Sequence, residues 1–133
     1  MTESFRTGMI WGLMLTVVTI TLSYFLPYEM VIELFAFAMV LIGSVYFGFA
    51  FKEDSRKIKT IELVSASGFV LTGILGLWIN PWLIVAGLFM HGIWDLLHHN
   101  DKYLTKIPAW YIPLCVIYDW LAAGYLTYFL LTN

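Results

Sequence analysis

Charge is what this sequence has least of. Only 12% of its 133 residues are Asp, Glu, Lys or Arg, while 61% are hydrophobic. A soluble domain carries about a quarter charged and roughly half apolar residues. A water-solvated globular fold is therefore excluded, and a chain solvated by lipid is expected. Cysteine occurs once, at Cys115, which rules out an intrachain disulfide and any Cys-rich zinc module. No basic cluster sits in an otherwise polar domain and the formal net charge is −2, so nucleic acid is excluded as a partner. Position 2 is Thr2 rather than glycine, which excludes an N-myristoyl anchor. Histidine is scarce too: His91, His98 and His99 are the full set, and all lie within nine residues.

What the chain has is hydrophobic length. Apolar runs cover about 8–26, 30–51, 61–79, 81–99 and 108–131, and a crossing needs about 20 residues. The expectation is an all-α integral-membrane bundle of five transmembrane helices forming one domain, residues 1–133. A signal peptide is the competing reading of the first run, but Tyr24-Phe25-Leu26-Pro27 is a poor cleavage site. With five spans, Arg6, Lys52, Arg56, Lys57, Lys59, Lys102 and Lys106 all fall on one side of the membrane. The positive-inside rule then puts the amino terminus in the cytoplasm and the carboxyl terminus outside, in a multi-pass protein of the cell membrane (the inner membrane in a bacterium). Trp11, Trp82, Trp110, Tyr28 and Tyr128 lie towards span ends, where interfacial aromatics belong. Gly8, Gly12, Gly68, Gly73, Gly76 and Gly87 read as packing positions, and a slight bundle of this kind is expected to form a homo-oligomer, in the simplest case a dimer.

Against this background the run His91-Gly92-Ile93-Trp94-Asp95-Leu96-Leu97-His98-His99 stands out. At 100° per residue His91, Asp95 and His98 share one stripe of a helix, with His99 turned roughly 80° from His91. Depth brings further groups level with them. Counted from the cytoplasmic ends at about 1.5 Å per residue, Glu62 and His98 lie near the boundary, Asp95 about 6 Å in, His91 about 12 Å and Asp119 about 14 Å. Glu33 enters from the opposite side. Glu62 shares a face with Ala66, Phe69 and Gly73, and Asp119 with Ile112, Cys115, Ala122 and Ala123. Small neighbours of this kind point towards protein rather than lipid.

No Lys or Arg lies within any of the apolar runs, and each charged carboxylate at mid-membrane costs about 2.5–3.5 kcal/mol on insertion scales. Protons, protonated histidine or a bound cation must compensate. His91, Asp95, His98, Asp119 and Glu62 are therefore candidate ligands of a divalent metal, zinc or iron, with Asp119 or Glu62 as general base. Trp94, His99, Tyr118 and Cys115 are candidate supporting residues around them, although Cys115 also reads as an inert small apolar residue. Simpler readings stand beside this one. His91–Asp95 and Asp95–His98 can bond along their own helix, His98, His99 and Glu62 can reach interfacial water, and a protonated Asp119 can glue helices through Tyr118.

HGIWDLLHH, with PAWYIPLCVIYDW after it and YFGFA before it, resembles a family of small bacterial integral-membrane proteins with an HxxWDxxHH motif; that resemblance brings no mechanism. Asp95-Leu96-Leu97-His98-His99 is similar to the HxxHH box of membrane fatty-acid hydroxylases and desaturases, with aspartate in place of the first histidine. Those enzymes use eight or more histidines, so carboxylates would have to substitute here. Three histidines with Asp95 or Asp119 and Ser65 or Ser67 also resemble, in composition, the zinc site of alkaline-ceramidase-like hydrolases, which have seven spans and draw their histidines from several helices. The candidate ligands, with the composition of the last two likenesses beside them, give the expectation of a metal-dependent membrane hydrolase or non-haem iron oxidoreductase acting on a lipid-like substrate from the cytoplasmic side. A proton or cation carrier and a structural accessory protein are the alternatives, but the outer half of the bundle offers a carrier only Glu33 and Asn80.

Overall fold

The computed structural model describes residues 1–99 and 103–133. Among them the chain is all helical, with α1 Glu3–Ser23, α2 Tyr28–Phe51, α3 Arg56–Trp78, α4 Trp82–Leu97 and α5 Tyr111–Thr132. Four of these are long and apolar enough to cross a membrane; α4, with 16 residues, is shorter. Their outward faces are apolar, with Val17, Phe37, Leu41, Val64 and Leu131 all exposed. Patches that large would associate in water, but suit a multi-pass membrane protein bathed in lipid.

The helices begin where polar residues can close their ends. Thr2 Oγ1 accepts from Phe5 N at 3.2 Å, and Ser55 Oγ from Ile58 N at 3.4 Å. Because Ser55 is the cap, α3 starts ahead of its apolar run, and Arg56, Lys57 and Lys59 ride on its first turns. The loop between α2 and α3 is therefore only 52–55. Asn80 Oδ1 accepts from Trp82 N at 3.0 Å, and Pro81 already has helical dihedrals (φ −61°, ψ −18°), so Asn80-Pro81 turns the chain from α3 into α4. Pro113 sits in the first turn of α5, where no intrahelical N–H bond is lost.

In lipid, helix association rests on close packing more than on hydrophobicity, and the contacts show where. α2 packs mainly on α3, while α1 and α4 each pack on α5. A core of Val31, Phe35, Met39, Ile84, Leu88 and Leu126 joins α2, α4 and α5. The buried stripe of α1 is small throughout: Gly8, Gly12, Thr16 and Ser23. A Cβ on Gly8 would lie 2.0 Å from the Trp110 carbonyl oxygen, and one on Gly12 2.6 Å from that of Leu114. These two glycines, four apart, let the α1 and α5 backbones touch. Hydroxyl pairs continue the seam, Thr19–Tyr118 at 3.2 Å and Ser23–Tyr125 at 2.6 Å. Helix α4 is thus held between α3 and α5, and it carries the histidines.

Candidate metal centre

The buried face of α4 runs Ile84, Gly87, Leu88, His91, Gly92, Asp95, the four-and-three spacing that one helical stripe requires. His91 and Asp95, one turn apart on it, meet Asp119 of α5. His91 Nδ1 lies 2.7 Å from Asp119 Oδ2 and 3.3 Å from Asp95 Oδ2, and all three side chains are fully buried. One ligating atom from each residue can be chosen so that all lie within 4.8 Å of one another. This group could hold a metal ion. Three atoms on its members, His91 Nε2, Asp95 Oδ2 and Asp119 Oδ1, have no hydrogen-bond partner. Buried polar atoms normally find a partner, and a cation could satisfy the carboxylate oxygens among these.

The other two candidate ligands form a second unit. His98 is the residue that ends α4 (φ −79°, ψ −8°), and its Nε2 lies 2.8 Å from Glu62 Oε1 on α3. His98 Nδ1 donates to the Trp94 carbonyl at 2.8 Å, and Thr105 N donates to Glu62 Oε1 at 3.2 Å. Glu62 is fully buried and its Oε2 is unpartnered. The five ligands expected to share one pocket therefore stand as His91/Asp95/Asp119 and Glu62/His98. The division follows from distance along α4: His98 stays on the buried stripe with helical dihedrals, but it lies seven residues, about 10 Å, beyond His91, where Glu62 of α3 is its neighbour.

The supporting residues separate in the same way. The Trp94 ring meets His98 edge-on at 5.0 Å, and its Nε1 is unpartnered. Cys115 is buried with Tyr46, Ala66 and Tyr111, within electrostatic reach of Asp95 and Asp119. Tyr118 instead bonds Thr19 of α1, and exposed His99 lies edge-on to Phe5 at 6.3 Å. Neither belongs to the metal group.

One residue that sequence reasoning passed over lies at the centre. Tyr46 of α2 is fully buried and its hydroxyl donates to Asp95 Oδ1. Its ring stands 5.4 Å from that of His91 and 5.2 Å from that of His98, between the two units. A signal for it existed. Met39, Gly43, Tyr46 and Ala50 follow helical spacing, and Tyr46 lies about 8 Å from the end of α2, level with Asp95. A phenol at that depth needs a partner.

No family model, curated protein or solved structure matches this chain. The reading of the site therefore rests on its own chemistry.

Proposed function

We propose that this chain is a five-span membrane enzyme that binds one divalent metal at His91, Asp95 and Asp119 and acts on a lipid-like molecule. One observation carries the reading: a histidine and two carboxylates converge, fully buried, with lone pairs unpartnered and no Lys or Arg in the apolar runs to offset them. Three protein ligands leave positions open for water or substrate, as catalytic sites do and closed structural sites do not. Zinc would supply an activated water for hydrolysis, and iron would supply oxidation by O₂. Within this reading Glu62 is the carboxylate outside the ligand set, and its free Oε2 can take up a proton.

A groove of about 360 Å³, walled by Leu15, Phe37, Leu41 and Leu114 and floored by Cys115 and Tyr118, supports an apolar substrate. Cys115 faces this groove on one side and the carboxylates on the other. The seven Lys and Arg support an orientation with the amino terminus and the 52–55 loop in the cytoplasm. At 16 residues α4 is about 24 Å long, which suits a crossing helped by its Asn80-Pro81 and His98-His99 flanks.

Elemental analysis of protein purified in detergent without chelator, then supplied with zinc and iron, tests this. One equivalent of metal, lost in His91→Ala, is the expected result, and the metal found selects the chemistry. Wild-type protein that stays empty ends the proposal. A specific observation favours a second reading. Tyr46–Asp95, His91–Asp119 and Glu62–His98 already link α4 to α2, α5 and α3, so the cluster can act as a polar staple. Empty wild-type protein, destabilised by Asp119→Asn, would select it.

A further inference from the structure

The geometry points to Tyr46 as the positioning residue that makes Asp95 a one-oxygen ligand. This rests on the metal reading above and adds a residue that reading does not need. A carboxylate is symmetric about its χ2 axis and can offer either oxygen, or both, to a cation. At Asp95 the symmetry is broken. The Tyr46 hydroxyl donates to Oδ1, while Oδ2 has no hydrogen-bond partner and faces His91 Nδ1 at 3.3 Å. One oxygen is held by protein and the other is presented to the group.

The phenol can impose this because it is itself held. Its ring packs edge-on to Phe49 at 5.5 Å and Tyr111 at 6.3 Å, and also edge-on to His91. One turn earlier in α2, Gly43 lets the α3 backbone close in, since a Cβ there would sit 2.8 Å from Phe69 Cβ. Phe69 in turn meets His91 edge-on at 4.8 Å. Helices α2 and α3 thus brace both a ligand and the group that orients its neighbour. Partners of this outer kind typically alter metal affinity roughly 10–100-fold.

Tyr46→Phe removes only the hydroxyl. Tyr111→Phe is its control, because Tyr111 lies in the same aromatic cluster with its hydroxyl unpartnered. Cobalt(II) is the probe, its affinity read by titration and its coordination by visible absorption. The expected result is roughly 10–100-fold weaker cobalt binding and an altered d–d spectrum in Tyr46→Phe, with Tyr111→Phe matching wild type. Unchanged affinity and spectrum in Tyr46→Phe would overturn the assignment while leaving the metal reading intact. A wild-type protein that binds no cobalt would instead defeat the metal reading itself. A merely structural Tyr46 would lower stability and leave the spectrum of the loaded protein alone. Should the variant not fold, infrared difference spectra of wild-type protein decide. Carboxylate stretches lost in Asp95→Asn should show the wide splitting of one-oxygen binding, and a narrow two-oxygen splitting overturns the proposal.

Discussion

Replacing Gly8 with alanine adds one methyl group, yet it should prise α1 away from the bundle. The new Cβ would lie 2.0 Å from the Trp110 carbonyl oxygen and 2.8 Å from Pro113 Cγ, where ordinary contact begins at 3.4 Å. The obstacle is backbone and a proline ring in the first turn of α5, neither of which can rotate aside. Relief requires α1 to move out by more than an ångström, which also stretches the Thr19–Tyr118 and Ser23–Tyr125 bonds. Overpacking costs about 1–3 kcal/mol, and interhelical side-chain bonds in membranes contribute about 0.6 kcal/mol each. A loss of about 2–4 kcal/mol is expected for Gly8→Ala, and somewhat less for Gly12→Ala, where the carbonyl is 2.6 Å away. Gly48 and Gly68 supply the internal control, because a Cβ on either meets nothing within 4 Å. There alanine should be neutral or up to about 1 kcal/mol stabilising through helix propensity. Unfolding in mixed micelles, followed by tryptophan fluorescence, measures all four. Since α1 contributes no ligand, cobalt affinity of the folded Gly8→Ala protein should equal that of wild type. Gly8→Ala as stable as wild type, or Gly48→Ala equally damaging, would refute the close-packed seam.

Three further outcomes are expected. His98→Ala should keep the metal that His91→Ala loses, since His98 pairs with Glu62 outside the ligand set; parallel loss in elemental analysis would rejoin the two units. Glu62→Ala should speed hydrogen exchange of the Thr105 amide, whose acceptor it removes, and cost about 1–3 kcal/mol through groups left unpaired; an unchanged exchange rate would count against the anchor. Glu53, outside the spans, is held below the usual carboxyl range, first by the Ser55 backbone N–H and then by the Thr105 side chain. A depressed folded pKa stabilises above the unfolded value near 4.5, and that contribution is lost as pH falls through the folded one. Glu53→Gln should therefore lower stability at neutral pH, flatten the acid limb below pH about 4.5, and match wild type once the pH lies below the folded pKa.

The helices were legible because lipid demands long apolar runs and polar ends, and both are written residue by residue. The α4 stripe and its partner on α5 were legible for the same reason: Asp119 beside Cys115, Ala122 and Ala123 can only be facing protein. Periodicity put His98 on the stripe of His91 and Asp95, where the structure keeps it, but a stripe does not say which neighbouring helix lies opposite each of its turns, and so could not assign Glu62 to His98 and Asp119 to His91. It also could not foresee that Ser55 would start α3 early and carry three basic residues into the helix. Tyr46 was hidden by its surroundings, since a tyrosine among Phe47, Phe49 and Phe51 reads as packing until its hydroxyl is followed to Asp95. The α1 seam was half legible: Gly8 and Gly12 announced close packing, but not that α5, rather than the neighbouring α2, would receive them.

Charge bookkeeping across the two units yields one last expectation. Glu62, Asp95 and Asp119 are fully buried, and the basic groups paired with them are His91 and His98. A buried net charge is costly, so the five groups are held near neutrality. Without metal, three carboxylates need three protons shared among carboxyls and imidazoles. With a divalent ion balancing Asp95 and Asp119, one proton suffices, placed between Glu62 and His98. Loading should therefore expel about two protons per metal, because ligands must be deprotonated to bind. Calorimetric titration in buffers of different ionisation enthalpy reads that number directly. A binding enthalpy independent of buffer would mean that the ion enters an already ionised cluster. The lone pairs on Asp95 and Asp119 would then have to be satisfied by water before the metal arrives, and the link between the absence of basic residues and the need for a cation would be broken.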